Sequence, residues 1–296
     1  MGVARALPCR LVASPTATLL LSCPDQPGIV AAVASFVFER GGNIIHAEQH
    51  TDHETGVFLQ RVEWELAGFG LGREEIDGAF EPIASRFDMT WRLAFSDTVP
   101  RLALFVSTQA HCFYDLVSRW QMGELAVDIP VAISNHPDLA EAAARFGIAY
   151  HHLPVDPDDK PGQESAALRV LEDHQVDTVI LARYMQVLSA SFVQRFPNRI
   201  INIHHSFLPA FSGARPYHQA HERGVKVIGA TAHFVTSELD AGPIIAQGVA
   251  EVSHRDSVAD LVRKGRDLEK VVLARAVRLH VENRLLLHGN RTVVFD

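Results

Sequence analysis

From residue 101 onward, short apolar segments typical of strands alternate with amphipathic segments typical of helices. This alternation favours an α/β fold in which a doubly wound, mostly parallel sheet carries helices on both faces. A long helix over 256–280, with Leu261 and Val272 on its apolar face, closes the pattern. The predicted strands lie at 101–106, 127–134, 149–153 and 178–181, and the predicted helices at 112–121, 137–146 and 165–174.

The residues before position 100 follow a different order. Strand, helix, strand, strand, helix and strand occur within about 80 residues, which is a ferredoxin-like βαββαβ arrangement. Pro27 near the first helical turn and Gly41–Gly42 after the last one delimit the first helix. We therefore predict a tail over 1–15, a ferredoxin-like domain over 16–96, a linker over 97–100 and a second domain over 101–296.

Charge and composition exclude several classes of protein. Lys and Arg number 27 against 35 Asp and Glu, and a net charge of −8 disfavours a nucleic-acid partner. No apolar run approaches the ~20 residues of a membrane span, and Pro8 and Pro15 interrupt the N-terminal segment, which disfavours a signal peptide. Three scattered cysteines do not form a disulfide framework. We expect a cytoplasmic protein with no membrane partner.

Two segments, 200–209 and 229–245, carry the densest chemical signal. Alternate side chains of a strand share a face, so Asn202 and His204 point the same way. They stand at the carboxyl end of a predicted strand, where open α/β sheets bind their ligands. The second segment adds Asp240. An amide and an imidazole can stabilise an oxyanion and a carboxylate can deprotonate a nucleophile, which together favour addition to a carbonyl.

Taken singly, each of these residues has a simpler explanation. Asn202 could be a hydrogen-bonded amide at a strand end, and Asp240 could stabilise its own turn. A cluster of histidines also requires a metal site to be weighed, but no HExxH motif or cysteine-rich partner accompanies it, so we expect no metal. The histidines of this cluster are His204, His205, His218, His221 and His233.

Together the two segments resemble the folate-dependent formyltransferase family, in which an Asn-x-His pair precedes an Asp in a Leu-Asp-x-Gly-Pro context. The double histidine His204–His205 and the runs 211–220 and 224–233 are similar to the hydrolytic members of that family. Residues 181–188 resemble the loop whose backbone holds the pterin.

The resemblance implies hydrolysis of 10-formyltetrahydrofolate to tetrahydrofolate and formate, which would supply formate and balance the one-carbon pool used in purine biosynthesis. Asn202, His204 and Asp240 would be catalytic, with Asp240 positioning the attacking water. Folate would be the substrate, and no cofactor would be needed. The implied substrate-binding residues are Met185, Gln186, Val187, Leu188, His205 and Gly242.

The stretch 106–115 bears on the choice between hydrolysis and transfer. Nucleotide-dependent transferases of this family hold a phosphate with a glycine-rich loop there, whereas this stretch contains no glycine. Without glycine, backbone amides cannot approach a phosphate as closely. Residues 111–116 instead resemble the hydrolytic version. The alternatives are transfer to an amine acceptor, hydrolysis of another N-formyl compound, and a catalytically inactive folate or amino-acid sensor.

Residues 16–95 resemble an ACT regulatory domain. ACT domains commonly pair with a second copy, so we expect a homo-oligomer. The turn before the first helix offers free backbone amides to the carboxylate of an amino-acid effector, with glycine and methionine as candidates. The effector-binding residues implied are Asp25, Gly28 and Asn43.

Overall fold

The computed structural model describes residues 14–156, 158–209 and 216–296. Almost all of the predicted tail, and residues 211–215 of the motif over 211–220, therefore lie outside the described residues. The chain divides into two compact units. The first comprises Met1–Thr98, Glu282–Leu286 and Val293–Asp296, and the second comprises Val99–Val281 and Leu287–Thr292.

Four antiparallel strands and two helices build the first unit. The strand order in the sheet is β2-β3-β1-β4, so the βαββαβ prediction is confirmed. The elements are β1 (Thr16–Pro24), α1 (Ile29–Phe38), β2 (Asn43–Asp52), β3 (Val57–Glu65), α2 (Arg73–Phe87) and β4 (Thr90–Phe95).

The central strand β1 is buried on both faces, which explains its continuous apolar run. Leu19 and Leu21 pack with Phe36 of α1 and other core residues on one face. Leu20 points to the opposite face and packs against Phe295, close to the C-terminus. We expected all of 101–296 in the second domain; the structure instead assigns 282–286 and 293–296 to the first unit, because they cover this second apolar face.

The second unit is built on a seven-stranded sheet with the order β11-β10-β9-β8-β5-β6-β7. The pairs among β5, β6, β7, β8 and β9 are parallel, which confirms the doubly wound, mostly parallel fold. The elements up to β9 are β5 (Arg101–Val106), α3 (His111–Gln121), β6 (Asp128–Ser134), α4 (Ala140–Arg145), β7 (Ala149–His152), α5 (Lys160–Asp173), β8 (Thr178–Ala182), α6 (Ala190–Arg195) and β9 (Ile200–His204).

One edge of this sheet is antiparallel, because β10 pairs antiparallel with both β9 and β11. A closing hairpin, which the sequence pattern did not predict, follows the long C-terminal helix. No helix among the described residues is long and apolar enough to cross a membrane. The remaining elements are α7 (Pro216–Glu222), β10 (Val227–Phe234), β11 (Ile244–Glu251), α8 (Val258–Val281), β12 (Leu285–His288) and β13 (Arg291–Val294).

Helices cover both faces of the second sheet. Residues of α5 and α6 pack on one face in a core that contains Phe105, Ile133 and Phe192. On the other face α8 packs against β9 and β10 and also contacts α3. The strand ends are therefore walled by helices on both sides. The carboxyl ends of β8 and β9 open into a concave site.

Candidate active site

A cavity of about 610 Å³ lies at the carboxyl ends of β8 and β9. Its wall includes the segment after β8, the end of β9 with the loop that follows, the segment between β10 and β11, and part of α8. Gly242 is the one proposed substrate-binding residue that is not part of this wall. The proposed site residues that line the cavity are Met185, Gln186, Val187, Leu188, Asn202, His204, His205 and Asp240.

The three proposed catalytic residues form one connected cluster. Nδ1 of His204 lies 3.2 Å from Oδ2 of Asp240. The second carboxylate oxygen, Oδ1, lies 3.5 Å from Nε2 of His233. The same His233 nitrogen is 3.2 Å from the Asn202 amide nitrogen. Asp240 is thus held between two imidazoles, and Asn202 joins the group through one of them.

Strand pairing brings His233 into the cluster. In the antiparallel register of β9 and β10, His233 stands opposite Asn202. Its Nδ1 donates to the carbonyl of Phe234 at 2.9 Å, which fixes the ring orientation and points Nε2 toward Asn202 and Asp240. The sequence suggests His233 as a candidate metal ligand and does not predict its contact with Asn202. Sequence spacing does not reveal which residues oppose each other across two strands.

The electrostatics of the cluster favour an ionised Asp240. Hydrogen bonding from His204, and next from His233, holds the pKa of Asp240 far below its ordinary value, although partial burial opposes the shift. A carboxylate in this state remains charged throughout the neutral range. Its side chain is still 19% exposed, so it can contact a bound molecule.

Backbone geometry explains the Leu-Asp-x-Gly-Pro context of Asp240. Asp240 itself adopts a left-handed conformation, with φ of 54°. At Gly242 a Cβ atom would lie 1.8 Å from the carbonyl oxygen of Phe234, which no side chain could tolerate. The glycine therefore lets the turn pack against the end of β10. Its contribution is to place Asp240, since it does not line the cavity.

One nitrogen of His204 remains available. The Nε2 atom is buried and has no hydrogen-bond partner among the described residues. Because Nδ1 is bonded to Asp240, Nε2 is the atom through which His204 can hydrogen-bond to a ligand. A buried polar nitrogen without a partner is costly unless a bound molecule satisfies it, which makes this atom a candidate contact for a ligand.

His205 is positioned as a wall of the cavity beside His204. The two rings lie 5.2 Å apart between centroids. Burial, and then the charges of Arg183 and His204, lower the pKa of His205 to about 4. His205 is therefore neutral at pH 7.

The loop that carries His205 is anchored by Thr231 of β10. The Thr231 hydroxyl accepts from the backbone N–H of Leu208 at 3.1 Å and donates to the carbonyl of Ser206 at 2.9 Å. Gln247 of β11 adds a bond to the carbonyl of Leu208 at 3.1 Å. These contacts tie the loop after β9 to β10 and β11.

The proposed pterin-binding segment, 185–188, is fixed at both ends. Tyr184 packs edge-on against Phe105, and its hydroxyl accepts from Gln163 at 3.0 Å. Ser189 caps α6 and donates its backbone N–H to the buried Glu164 at 2.8 Å. Between these anchors Met185 is 58% exposed, so it forms part of an open apolar wall. The segment is held in place without being buried.

A second polar cluster lines the same cavity, centred on Glu269 of α8. The glutamate is only 1% exposed. One of its oxygens accepts from the Tyr217 hydroxyl at 2.7 Å, and the other accepts from Nε2 of His111 at 2.6 Å. Arg183 Nε lies 3.5 Å from this second oxygen. Burial opposes its ionisation, yet His111, Arg183 and Tyr217 together lower the pKa of Glu269.

Close packing between α7 and α8 makes this cluster possible. A Cβ atom on Gly265 would lie 2.0 Å from the Tyr217 hydroxyl oxygen, so only glycine lets the tyrosine reach across the helix. Glu269 follows one turn later on the same buried face of α8. A charged residue within an otherwise apolar helical face was the sequence signal that could have identified this cluster.

The donor atoms of His111, Cys112 and Glu269 lie within 4.8 Å of one another, as the ligands of a metal would. Their chemistry does not fit an ion. Burial, and next the charge of Glu269, raises the pKa of Cys112, so the thiol is protonated at neutral pH. Glu269 is already bound by two donors, and the Arg183 cation lies beside it. Of the five histidines that we weighed as ligands, His221 is the one outside the cavity wall.

The three proposed effector residues lie in the first unit and are separated within it. Asp25 follows β1 and Gly28 precedes α1, whereas Asn43 begins β2. The strand register places Asn43 beside Glu65, opposite the start of β1, and places the end of β1 beside Val57. Asn43 and Asp25 therefore stand at opposite ends of the sheet. One chain alone does not bring them together.

Comparison with known proteins agrees with both halves of this architecture. Residues 100–277 match the formyl transferase family model, and residues 17–80 match the ACT domain. A formyltetrahydrofolate deformylase from Synechocystis is 60% identical over 280 residues, which cover 95% of this chain and 98% of the relative. The crystal structure of a formyltetrahydrofolate deformylase from Pseudomonas syringae is 48% identical, with a TM-score of 0.94 over 97% of this chain and 96% of that one.

A transferase matches a smaller share of the chain. Glycinamide ribonucleotide transformylase 1 from Symbiobacterium toebii is 35% identical with a TM-score of 0.64, covering 69% of this chain and 98% of its own. The relatives that cover nearly the whole chain, ACT domain included, are deformylases. The chain therefore belongs to the formyltetrahydrofolate deformylase family.

Proposed function

We propose that this protein hydrolyses 10-formyltetrahydrofolate to tetrahydrofolate and formate. One observation carries the proposal: an ionised carboxylate, Asp240, is joined to His204 and Asn202 in a cavity where Nε2 of His204 has no partner among the described residues. Family membership supports the same activity. The catalytic roles of the three residues are part of the proposal.

The electrophilic half of the reaction rests on His204 and Asn202. As water adds to the formyl carbon, negative charge develops on the formyl oxygen. His204 donates through Nε2, and the Asn202 amide donates a second hydrogen bond. Such preorganised donors stabilise an oxyanion by about 3 kcal/mol each. Asp240 accepts a hydrogen bond from Nδ1 of His204, which leaves Nε2 to contact the formyl oxygen.

The nucleophilic half rests on Asp240. Its carboxylate orients a water and accepts a proton as the carbon–oxygen bond forms. The tetrahedral intermediate then breaks the bond between the formyl carbon and N10, and His204 or a relayed water protonates the departing nitrogen. Atoms and charge balance with water as the only co-reactant. The products are formate and tetrahydrofolate.

Substrate recognition is assigned to the segment 185–188 and to His205. Met185 and Val187 offer an exposed apolar wall, and Leu188 is buried beneath it. Backbone groups of this segment bind the pterin, and the neutral His205 ring closes the side next to His204. Anchoring at Tyr184 and Ser189 gives the segment a fixed shape before the ligand arrives.

The test is a formate-release assay on the purified protein with 10-formyltetrahydrofolate and no acceptor amine. Stoichiometric formate and tetrahydrofolate support the proposal. No turnover by folded protein would show that it is an inactive folate or amino-acid sensor. Turnover of another N-formyl compound in preference to the folate would identify a different hydrolase.

We also propose that the reaction needs no metal or other cofactor. The acid, the base and the oxyanion donors are all supplied by side chains of the second unit. Dialysis against a strong chelator is expected to leave the rate of formate release unchanged. A rate that is lost on chelation and restored by one divalent ion would refute this.

The first unit is proposed to bind an amino-acid effector, glycine or methionine, in a homo-oligomer. Asp25 and Gly28 lie at one end of the sheet and Asn43 at the other, so a second copy would have to complete the site. Sedimentation of the full chain with and without each amino acid tests both parts. Both parts would be refuted if the protein sedimented as a monomer with and without each amino acid, and if its rate of formate release did not change when the amino acid was added.

A cytoplasmic location and a role in the one-carbon pool that serves purine biosynthesis complete the proposal. Cys23 and Cys112 are buried free thiols, which suits a reducing compartment. Formate is the form in which the pool would be supplied. Cell fractionation with an antibody against the protein checks the location, and formate-dependent rescue of a deletion strain checks the role.

A further inference from the structure

Arg183 immediately follows β8 and lies beside the proposed catalytic centre. In the parallel register of β8 and β9, Leu181 pairs with Asn202, and two residues further along each chain come Arg183 and His204. Adjacent strands are about 4.8 Å apart, so Arg183 and His204 stand at the carboxyl ends of two neighbouring strands, and both line the cavity. The charge of Arg183 is also among the causes that lower the pKa of His205.

The Arg183 backbone is held in a conformation that favours glycine. Its φ is 67°, in the left-handed region, where a side chain with a Cβ costs free energy. Glycine would occupy this position without that cost. The presence of a long side chain here requires a benefit that glycine could not supply.

Hydrogen bonding within the fold does not account for all of that benefit. The Nε and Nη1 atoms of Arg183 are buried and have no hydrogen-bond partner in the part of the chain that the structure describes. Glu269 lies 3.5 Å from Nε but is already bound by Tyr217 and His111. Buried donors that remain unsatisfied destabilise a fold, so a purely structural arginine would be better paired.

We propose that Arg183 is the residue that makes water the nucleophile: its side chain, backed by Glu269, fills the part of the cavity next to His204 that an amine-bearing second substrate would need. The inference rests on the proposed hydrolysis and explains its outcome. Both Arg183 and Glu269 line the cavity, and the Tyr217 and His111 hydrogen bonds hold the Glu269 end in place. Water is small enough to reach the formyl carbon past this side chain, and an amine with a carbon skeleton is not.

The chemistry open to an amine is the same addition and elimination. The amine nitrogen forms a bond to the formyl carbon and gives up a proton to Asp240. The bond from the formyl carbon to N10 breaks, and N10 receives a proton. No electron transfer occurs. A small primary amine such as glycinamide therefore needs only space at the carbon to compete with water.

The experiment compares the two outcomes in one reaction. Substrate labelled at the formyl carbon is mixed with glycinamide, and formate and N-formylglycinamide are quantified together by NMR after subtraction of the enzyme-free reaction. Arg183→Gly removes the side chain at a position whose backbone favours glycine, and Arg183→Asn is a second opening variant that tolerates the left-handed conformation. Gln175→Gly is the matched control, because Gln175 has a φ of 49° in the same unit and does not line the cavity.

We expect the ratio of transfer to hydrolysis to rise at least about tenfold in Arg183→Gly and Arg183→Asn, the size of effect that opening a pocket to one small group produces. The control should keep the ratio of the unmodified protein. Folded opening variants that release formate at the unmodified ratio would overturn the inference, as would equal transfer by the unmodified protein. If the unmodified protein releases no formate, the proposed function itself fails, which is a separate result.

Discussion

Two carboxylates face the same cavity, and they differ in which neighbouring polar atoms remain open to a ligand. Asp240 contacts His204 and His233, and Nε2 of His204 has no hydrogen-bond partner among the residues that the structure describes. Glu269 has both oxygens occupied by Tyr217 and His111. The aspartate is 19% exposed and the glutamate 1%. Partners lower the pKa of both groups.

The contrast shows that a lowered pKa does not by itself identify a catalytic group. What distinguishes Asp240 is access: its cluster leaves polar atoms for a ligand. Glu269 is enclosed by its partners and shapes the cavity wall. Chemistry is therefore assigned to the first cluster, and cavity shape with stability to the second.

The largest expected effect separates the two carboxylates by rate. Asp240→Asn keeps the shape and removes both the base and the charge beside His204, so formate release should fall at least ~10²-fold while the fold persists. Asp267→Asn, which alters an exposed ion pair of α8 with Lys270, is the control and should keep the rate. A folded Asp240→Asn protein with near-normal turnover would remove Asp240 from the mechanism.

The second prediction concerns stability. Glu269→Gln removes the negative charge that accepts two hydrogen bonds and lies beside the Arg183 cation. The free energy of unfolding should therefore fall by about 2–3 kcal/mol in denaturant titrations. The rate of formate release should fall far less than in Asp240→Asn. Glu141→Gln, at an exposed ion pair with Arg145, should change stability by less than about 0.5 kcal/mol. Equal stability of the two variants would contradict an enclosed, structural Glu269.

A smaller effect is expected in the pH dependence of stability. Burial lowers the pKa of His205 to about 4, whereas the unfolded chain takes up this proton near pH 6.5. Stability contributed by the neutral ring is therefore complete above pH 6.5 and decreases as the pH falls toward 4. Between pH 6.5 and 5 the unmodified protein should lose on the order of 1–2 kcal/mol more than His205→Asn. Parallel pH profiles of the two proteins would show that the ring is not held neutral.

The last prediction is that a nucleotide acceptor leaves the reaction rate unchanged. Glycinamide ribonucleotide should not accelerate loss of the formyl group, because no glycine lies between Val106 and His111 to form a phosphate cradle. The His111 side chain is in addition bound to Glu269. Saturable acceleration with a formylated nucleotide as the product would show that the second cluster does not close the cavity to acceptors.

Local sequence patterns were enough to predict both sheets, the position of the candidate site and the reaction. The pattern of apolar residues predicted both sheets. A strand or helix that buries one face repeats its apolar residues with a fixed period, and a strand that buries both faces has a continuous apolar run. The period of two in β9 placed Asn202 and His204 on one side, at a strand end where ligands bind. The segments around His204 and Asp240 resemble a known family, and that resemblance predicted the reaction from the sequence alone.

Tertiary structure decided which distant residues meet. His233 joins Asn202 through the register of two antiparallel strands, and Glu269 meets His111 across 158 residues of sequence. Phe295 returns to cover Leu20 in the first unit, a contact that no local pattern announces. Side-chain periodicity reports only the neighbours within one element. Pairing between elements depends on how the whole chain buries its apolar faces and satisfies its buried polar groups. The sequence therefore predicted that Asn202 and His204 share one face, but it did not predict the residues that surround them.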